Sequence, residues 1–418
     1  MPGERLRILW LTQVVPYPPT GGSLQRAYHI VRCLGAEHDL HVIAMHHRPM
    51  TPAMLAEAKA ALSPFCKTLD IVDVSASTKP VGLLALAAQS LVTGFPMSVS
   101  IFRSARFRRL VRDAVRTHRF DLAHIDTISV ADYIDDVASI PTVMAHIGAE
   151  SYMIRRRIPQ ERSRLRRLFF RREAVSLERY ERAMCSRVAM NLAVSELDRD
   201  LLKQVAPQAP FEVVENGADV DFFRPVARSR AKRLVFAGRL DQASNRDGLR
   251  WFLQSAWPLI AKTHPEATFD IIGPTPPADI VAMAGTDRRI TVHGLVPDVR
   301  VHFASASVVV SPLRDGGGTR LKILDALAMG MPLVATTVAC EGIDITPGRH
   351  ALIADTPDEF NAQISRLFAD PDLCDRLSAE GRALIETRYS WQSIGSKLAR
   401  LYRSQVQPVA LSPAASTH

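Results

Sequence analysis

One turn of this chain gathers two arginines, a lysine, three glycines and two carboxylates within Arg314 to Asp325, inside the longer stretch SPLRDGGGTRLKILDALAMGMPLVAT from Ser311 to Thr336. Val308 to Val310 reads as a buried strand, and the helical pattern Leu321, Leu324, Leu327, Ala328 follows the turn. Between them Gly316, Gly317, Gly318 and Thr319 let backbone N–H groups approach a ligand closely, and the start of the next helix favours an anion. Arg314, Arg320 and Lys322 crowd the same turn, more cation than a structural βα turn requires. Asp325, one turn into the helix, is placed to accept from sugar or ribose hydroxyls. The chemistry read from these residue types is binding of a phosphorylated, hydroxyl-bearing ligand.

Other chemistries find less support. The five cysteines, at 33, 66, 185, 340 and 374, show neither paired nor metal-type spacing, which fits a reducing compartment. Asp219-Val220-Asp221 and Asp370-Pro371-Asp372 spell a spaced acid pair that can hold a divalent ion. The first sits in a turn signature and the second reads as a helix start, so no metal is expected. No serine nucleophile motif occurs.

The elements that must position the turn alternate along the chain. Ile8 to Leu11 leads through a proline-rich loop to Gly21-Gly22 and a helix from about Ser23 to Leu34. His41 to Ala44, Leu69 to Val72, Leu122 to Ile125, Thr142 to Ala145 and Ala189 to Val194 continue the strands. A second series runs through Leu234 to Ala237, Phe269 to Ile272, Ile290 to Val292, Val308 to Val310, Leu333 to Ala335 and Ala351 to Ile353. Helical patterns between them predict an α/β protein with two doubly wound parallel sheets. The 418 residues, 47% hydrophobic and 23% charged, suffice for two domains with their own cores. The boundary is placed at 226/227, within Phe223 to Lys232, and a tail at 405–418. Pro80 to Phe102 carries no charge, but its polar and glycine residues favour a buried or interfacial segment over a membrane span. The N-terminus, MPGERLRILWL, has no signal-peptide pattern, so a cytoplasmic protein is expected.

Several stretches taken together carry a family resemblance. Val214-Glu215-Asn216-Gly217-Ala218-Asp219 with Phe222 and Pro225, Phe236-Ala237-Gly238-Arg239-Leu240, His293-Gly294-Leu295 and the 311–336 stretch resemble, in order and spacing, family 4 retaining glycosyltransferases of the GT-B fold. The resemblance runs from Ile8 to about Tyr402. It implies two Rossmann-like domains facing a cleft, 1–226 on the acceptor side and 227–390 binding a nucleotide diphosphate sugar, with 391–404 crossing back as a helix. The combination PLR, GGGT and RLKILDA is similar to a subgroup of bacterial exopolysaccharide and capsule assembly.

Carried onto this chain, the resemblance makes Arg239 the diphosphate-binding arginine, where a guanidinium would neutralise the leaving group. Lys322 would assist it. His293, Gly294 and Leu295 would meet the base, Gly21 and Gly22 the donor phosphates or the acceptor, and His146 would face the transferred sugar. Two departures stand out. The lysine that usually follows the arginine is missing from Asp241-Gln242-Ala243-Ser244-Asn245-Arg246, leaving Arg246 as substitute. The first of two signature glutamates, eight positions before Asp325, is Gly317, so its contact falls to Asp315 or to the loop amides. No cofactor is implied beyond the donor.

The formal net charge is +9. Arg155, Arg156, Arg157, Arg164, Arg166, Arg167, Arg171 and Arg172 cluster with Leu165, Leu168, Phe169 and Phe170, which suits an anionic surface at the inner face of the cytoplasmic membrane. Aromatics interleaved for base stacking are absent, which counts against nucleic acid. A nucleotide-sugar epimerase or phosphorylase-like enzyme on the same scaffold is the alternative reading.

Overall fold

The computed structural model describes residues 5–161, 163–225, 229–315 and 319–406. The apolar runs form two parallel sheets. The first comprises β1 (Arg7–Thr12), β2 (Asp39–His46), β3 (Thr68–Asp73), β4 (Leu122–Ile125), β5 (Thr142–Ala145), β6 (Met190–Ala193) and β7 (Phe211–Val213), in the order β3-β2-β1-β4-β5-β6-β7. The second comprises β8 (Arg233–Ala237), β9 (Thr268–Ile272), β10 (Ile290–Gly294), β11 (Val308–Ser311), β12 (Leu333–Ala335) and β13 (Leu352–Ile353), in the order β10-β9-β8-β11-β12-β13. Every residue of β4, β5 and β11 is buried, as expected of strands covered on both faces. β7 is the strand the sequence reading omits; it is three residues long with Glu212 exposed between buried Phe211 and Val213.

Strand order reverses between β1 and β4 in the first sheet and between β8 and β11 in the second. Crevices outside the carboxyl ends of strands at such points are where doubly wound sheets bind ligands. The Gly21-Gly22 loop follows β1, Arg239 follows β8, and Asp315 follows β11. Topology alone therefore brings the candidate residues to two such crevices.

The apolar stretch after β3 forms the Pro80–Thr93 helix and the short Met97–Ser100 helix. No helix among the described residues is long and apolar enough to cross a membrane. In the first of these helices only Ser90 is buried, so most of that surface faces outward rather than into a core.

The Trp391–Val406 helix crosses back to the first sheet. Trp391, Ile394, Leu398, Ala399 and Tyr402 join the core that contains Ile8, Trp10, Ile30 and Leu34, and Leu401 packs at its margin. The Tyr402 hydroxyl lies 2.5 Å from His124 Nδ1, and Trp391 stacks on His29 with ring centroids 5.0 Å apart. The two chain crossings touch: the Ala218 N–H donates to Tyr389 O at 2.7 Å, and a Cβ on Gly217 would lie 2.9 Å from both the Trp391 ring and Tyr389 O. Glycine is required there by close approach. Val214 packs in the first core, whereas Ala218 and Phe223 pack in the second; the packing thus changes sides before the 223–232 stretch read as the linker.

Candidate active site

Arg239 leaves the end of β8 and is about one quarter exposed. Its guanidinium pairs with Asp241, Nε to Oδ1 at 3.1 Å. Asn245 donates through Nδ2 to Arg239 O at 2.7 Å and accepts at Oδ1 from Lys322 Nζ at 2.6 Å. A single amide therefore ties the Arg239 turn to Lys322, and a Cβ on Gly238 would lie 2.7 Å from the Lys322 ammonium. Lys322 also lies over the Phe236 ring, 4.2 Å from its centroid. Burial, with the Arg320 charge adding, pushes the ammonium down to about 7. A desolvated cation beside a second cation is poised to gain from an incoming phosphate.

Residues of the first domain meet this assembly. The Gly22–Glu37 helix begins beside Gly21, has no side-chain cap and no acidic residue in its first turn. A Cβ on Gly21 would lie 3.8 Å from Arg239 Cδ, so this helix start lies against Arg239. Three residues on, Gln25 Nε2 donates to Asp325 Oδ1 at 3.4 Å. Burial pushes the Asp325 carboxyl up to about 8, opposed by the Gln25 hydrogen bond and reinforced by Asp219. A carboxyl neutral at pH 7 can donate to one hydroxyl and accept from another.

In the segment expected to meet the base, His293 Nε2 lies 2.8 Å from Asp270 Oδ1, Gly294 has φ +68°, and Leu295 is 76% exposed. The segment therefore offers a turned backbone and an open apolar side chain. Asp270, His293 and His302 bring ligand atoms within 4.8 Å of one another, a cluster invisible in the sequence because β9, β10 and the Val299–Ser305 helix supply one residue each. Arg233 approaches Asp270 to 3.7 Å and opposes a second cation there. The two spaced acid pairs have structural employment: Asp219 accepts the N–H groups of Asp221 and Phe222, and Asp370 caps the Pro371–Arg388 helix.

Three expectations change, for His146, for Asp315 and for the arginine cluster. His146 does not face the cleft; its imidazole is buried, with Nε2 3.1 Å from Asn191 Oδ1 and 3.7 Å from Cys185 Sγ. Burial lowers it to about 4, so it is a neutral interior group. Asp315 is occupied: Arg156, on the Glu150–Arg157 helix of the first domain, lies 3.4 Å from it and 3.0 Å from Glu341. Arg156 therefore spans the two domains instead of facing a membrane. Arg172 is likewise spent, donating to Ser90 O and Leu91 O, while Arg155 pairs with Glu178 and Arg167 donates to Glu161 O. Exposed arginines of that cluster include Arg157, Arg164, Arg166 and Arg171.

Gly316, Gly317 and Gly318 lie outside the described residues. Thr319, immediately after, donates to Val194 O at 3.4 Å, and Arg320 is part-buried near Glu341, Asp198 and Asp315. Besides Gln25, two contributors escaped sequence reading. Asn245 looked like the loss of a lysine, and Arg48, whose charge helps hold the Asp241 carboxyl down after the larger effect of Arg239, had no motif to mark it.

Comparison with known proteins accords with the two-sheet fold. Residues 231–370 match the family described as glycosyl transferases group 1. The GDP-mannose-dependent monoacylated alpha-(1-6)-phosphatidylinositol monomannoside mannosyltransferase of Corynebacterium glutamicum is 25% identical over 219 residues, 47% of this chain and 56% of that protein. The chain thus spans about half the length of the curated relatives it matches. Sucrose-phosphate synthase from Thermosynechococcus elongatus superimposes with a TM-score of 0.70 at 17% identity, covering 95% of this chain and 98% of the other. Anabaena Alr3699/HepE in complex with UDP and glucose gives 0.67 at 14%, covering 96% and 100%. The fold is GT-B.

Proposed function

We propose that this chain is a retaining glycosyltransferase, moving a sugar from a nucleotide diphosphate sugar to a glycan or lipid-linked acceptor in exopolysaccharide or cell-surface glycan synthesis. The observation that carries the reading is the Arg239–Asn245–Lys322 assembly, two cations tied together at the end of β8 and met by the Gly21 helix start. That is a diphosphate cradle by its chemistry. The ribose falls to Asp325 and the base to His293, Gly294 and Leu295. A neighbouring fold that holds UDP and glucose and a partial relative named for a phosphatidylinositol monomannoside support the donor and acceptor classes.

In this reading Arg239 and Lys322 neutralise the leaving diphosphate without a divalent ion, and a leaving-phosphate oxygen receives the proton of the acceptor hydroxyl on the same face of the sugar. His146 takes no part. Exposed Arg157, Arg164, Arg166 and Arg171 bring the protein to an anionic surface, at the cytoplasmic face of the membrane. The second reading, an epimerase, would alter the sugar while it stays attached to the nucleotide. A panel of nucleotide sugars should single out a donor by thermal stabilisation, about 2.7 kcal/mol at a hundred times its dissociation constant. Nuclear magnetic resonance of the product should then give the same anomeric configuration as that donor. An inverted product would remove retention, and an epimerised nucleotide sugar would favour the second reading.

A further inference from the structure

The Pro80–Thr93 helix is apolar on the side that packs and on the side that does not. Its outward stripe presents Val81, Leu84 and Val92, 80%, 73% and 88% exposed, with Leu91 at 57% beside it. Helices of soluble proteins place charge on that face. Here there is no acidic residue between Asp73 and Asp113, and no charged residue of either sign from Pro80 to Phe102.

A second element continues the patch. Leu165 and Leu168, 81% and 66% exposed, open the Arg164–Cys185 helix. They share one helical face with Arg172, at i, i+3 and i+7. Arg172 is the residue that grips the end of the first helix, through Ser90 O at 2.7 Å and Leu91 O at 2.6 Å. Glu173 fixes the following turn by accepting the N–H groups of Met97 and Ser98. The two helices are therefore joined at the end of the first, and exposed Arg164, Arg166 and Arg171 lie along the second beside its apolar stripe.

We propose that this face docks on an anionic lipid bilayer, with the Pro80–Thr93 helix lying in the interfacial plane. The occupant follows from the charges. A second copy would set arginines against arginines with no acid from Arg164 to Arg172 to pair them, whereas anionic headgroups neutralise them while the apolar stripe enters the acyl boundary. At about 1.5 Å per residue the 14-residue helix is too short to span a bilayer. Both helices follow the carboxyl ends of strands, β3 and β5, on the edge where Arg156 meets Asp315. Docking there sets the cleft mouth beside the lipid surface. This deepens the lipid-linked acceptor reading and rests on it for its purpose, but not for its test.

The test is flotation of the full-length protein with vesicles of equal parts phosphatidylglycerol and phosphatidylcholine, and with vesicles of phosphatidylcholine alone. The protein should float with the anionic vesicles and bind neutral ones at least about tenfold more weakly. Val81→Asp/Val92→Asp and, separately, Leu165→Asp/Leu168→Asp should each weaken binding by a similar factor. Their melting temperatures should stay at the parental value, because the side chains are exposed; Val81→Ser/Val92→Ser serves where an aspartate variant fails to fold. A parent that does not float, or variants that float as the parent does, would overturn the proposal. So would a parental dimer in light scattering that Val92→Asp converts to monomer, which would assign the face to self-association. Flotation needs no donor, so a protein that docks but transfers no sugar would refute only the proposed function.

Discussion

At the scale of single residues, the site rests on two cations of different character. Arg239 is part-exposed and already paired with Asp241, so in the proposed reading an incoming diphosphate would have to displace a carboxylate. Arg239→Ala should lower turnover at least tenfold, about 1.4 kcal/mol of barrier, with an unchanged melting temperature; unaltered turnover in the folded variant would take Arg239 out of the site. Lys322, buried and pushed down to about 7, makes a prediction with a definite sign. An unfolded lysine titrates near ~10.4, so from about pH 7 to 10 the unfolded chain holds a proton that the folded protein lacks, and this group's contribution to stability rises with pH across that window. A bound diphosphate reverses the local field and favours the ammonium. Donor binding at pH 8 should therefore take up protons at Lys322, measured by calorimetry in two buffers of different ionisation enthalpy, and Lys322→Met should lower the uptake to what the Asp325 carboxyl, pushed up to about 8, contributes. Asp325→Ala should weaken donor binding; equal affinity would end its assignment to the ribose.

At the scale of elements, the return of the Trp391–Val406 helix is the costly feature to lose. Five of its buried side chains belong to the first domain's core, and a large apolar side chain contributes about 1.5–3 kcal/mol by burial. Truncation after Ser390 should abolish turnover and lower the melting temperature of what remains, although every proposed donor contact is still encoded; retention of both would contradict the crossing. Gly217→Ala is the finer probe. Its methyl would meet the Trp391 ring and a backbone carbonyl, and overpacking of this kind costs about 1–3 kcal/mol, readable as a lower urea midpoint with unchanged slope. The strands were legible because buried parallel strands are written as continuous apolar runs, Val308 to Val310 the clearest. β7 was not, since a three-residue edge strand with an exposed glutamate at its centre carries too little pattern. His146 misled because position after a strand says nothing about which way an imidazole turns; Asn191 and Cys185, far along the chain, decide that.

At the scale of the whole molecule, the two domains are joined by more than their linker. Arg156 to Asp315 and Glu341, Gln25 to Asp325, and Thr319 to Val194 all cross between them. Such long-range pairs have no local sequence signal, which is why Arg156 read as part of a surface cluster. They place Gly21 and Gln25 on one side of the cleft and Arg239, Lys322 and Asp325 on the other, so in the proposed reading neither domain would enclose a donor alone. That arrangement is suited to holding a donor until an acceptor hydroxyl replaces its diphosphate. The most direct test follows free nucleoside diphosphate with time in the full-length protein, with the stabilising donor present and a glycan or lipid-linked acceptor added or withheld. Release that depends on acceptor, matches the sugar transferred mole for mole, and falls at least about tenfold in Arg239→Ala is the predicted result. Release at the same rate without acceptor, or transfer undiminished in Arg239→Ala, would contradict the account.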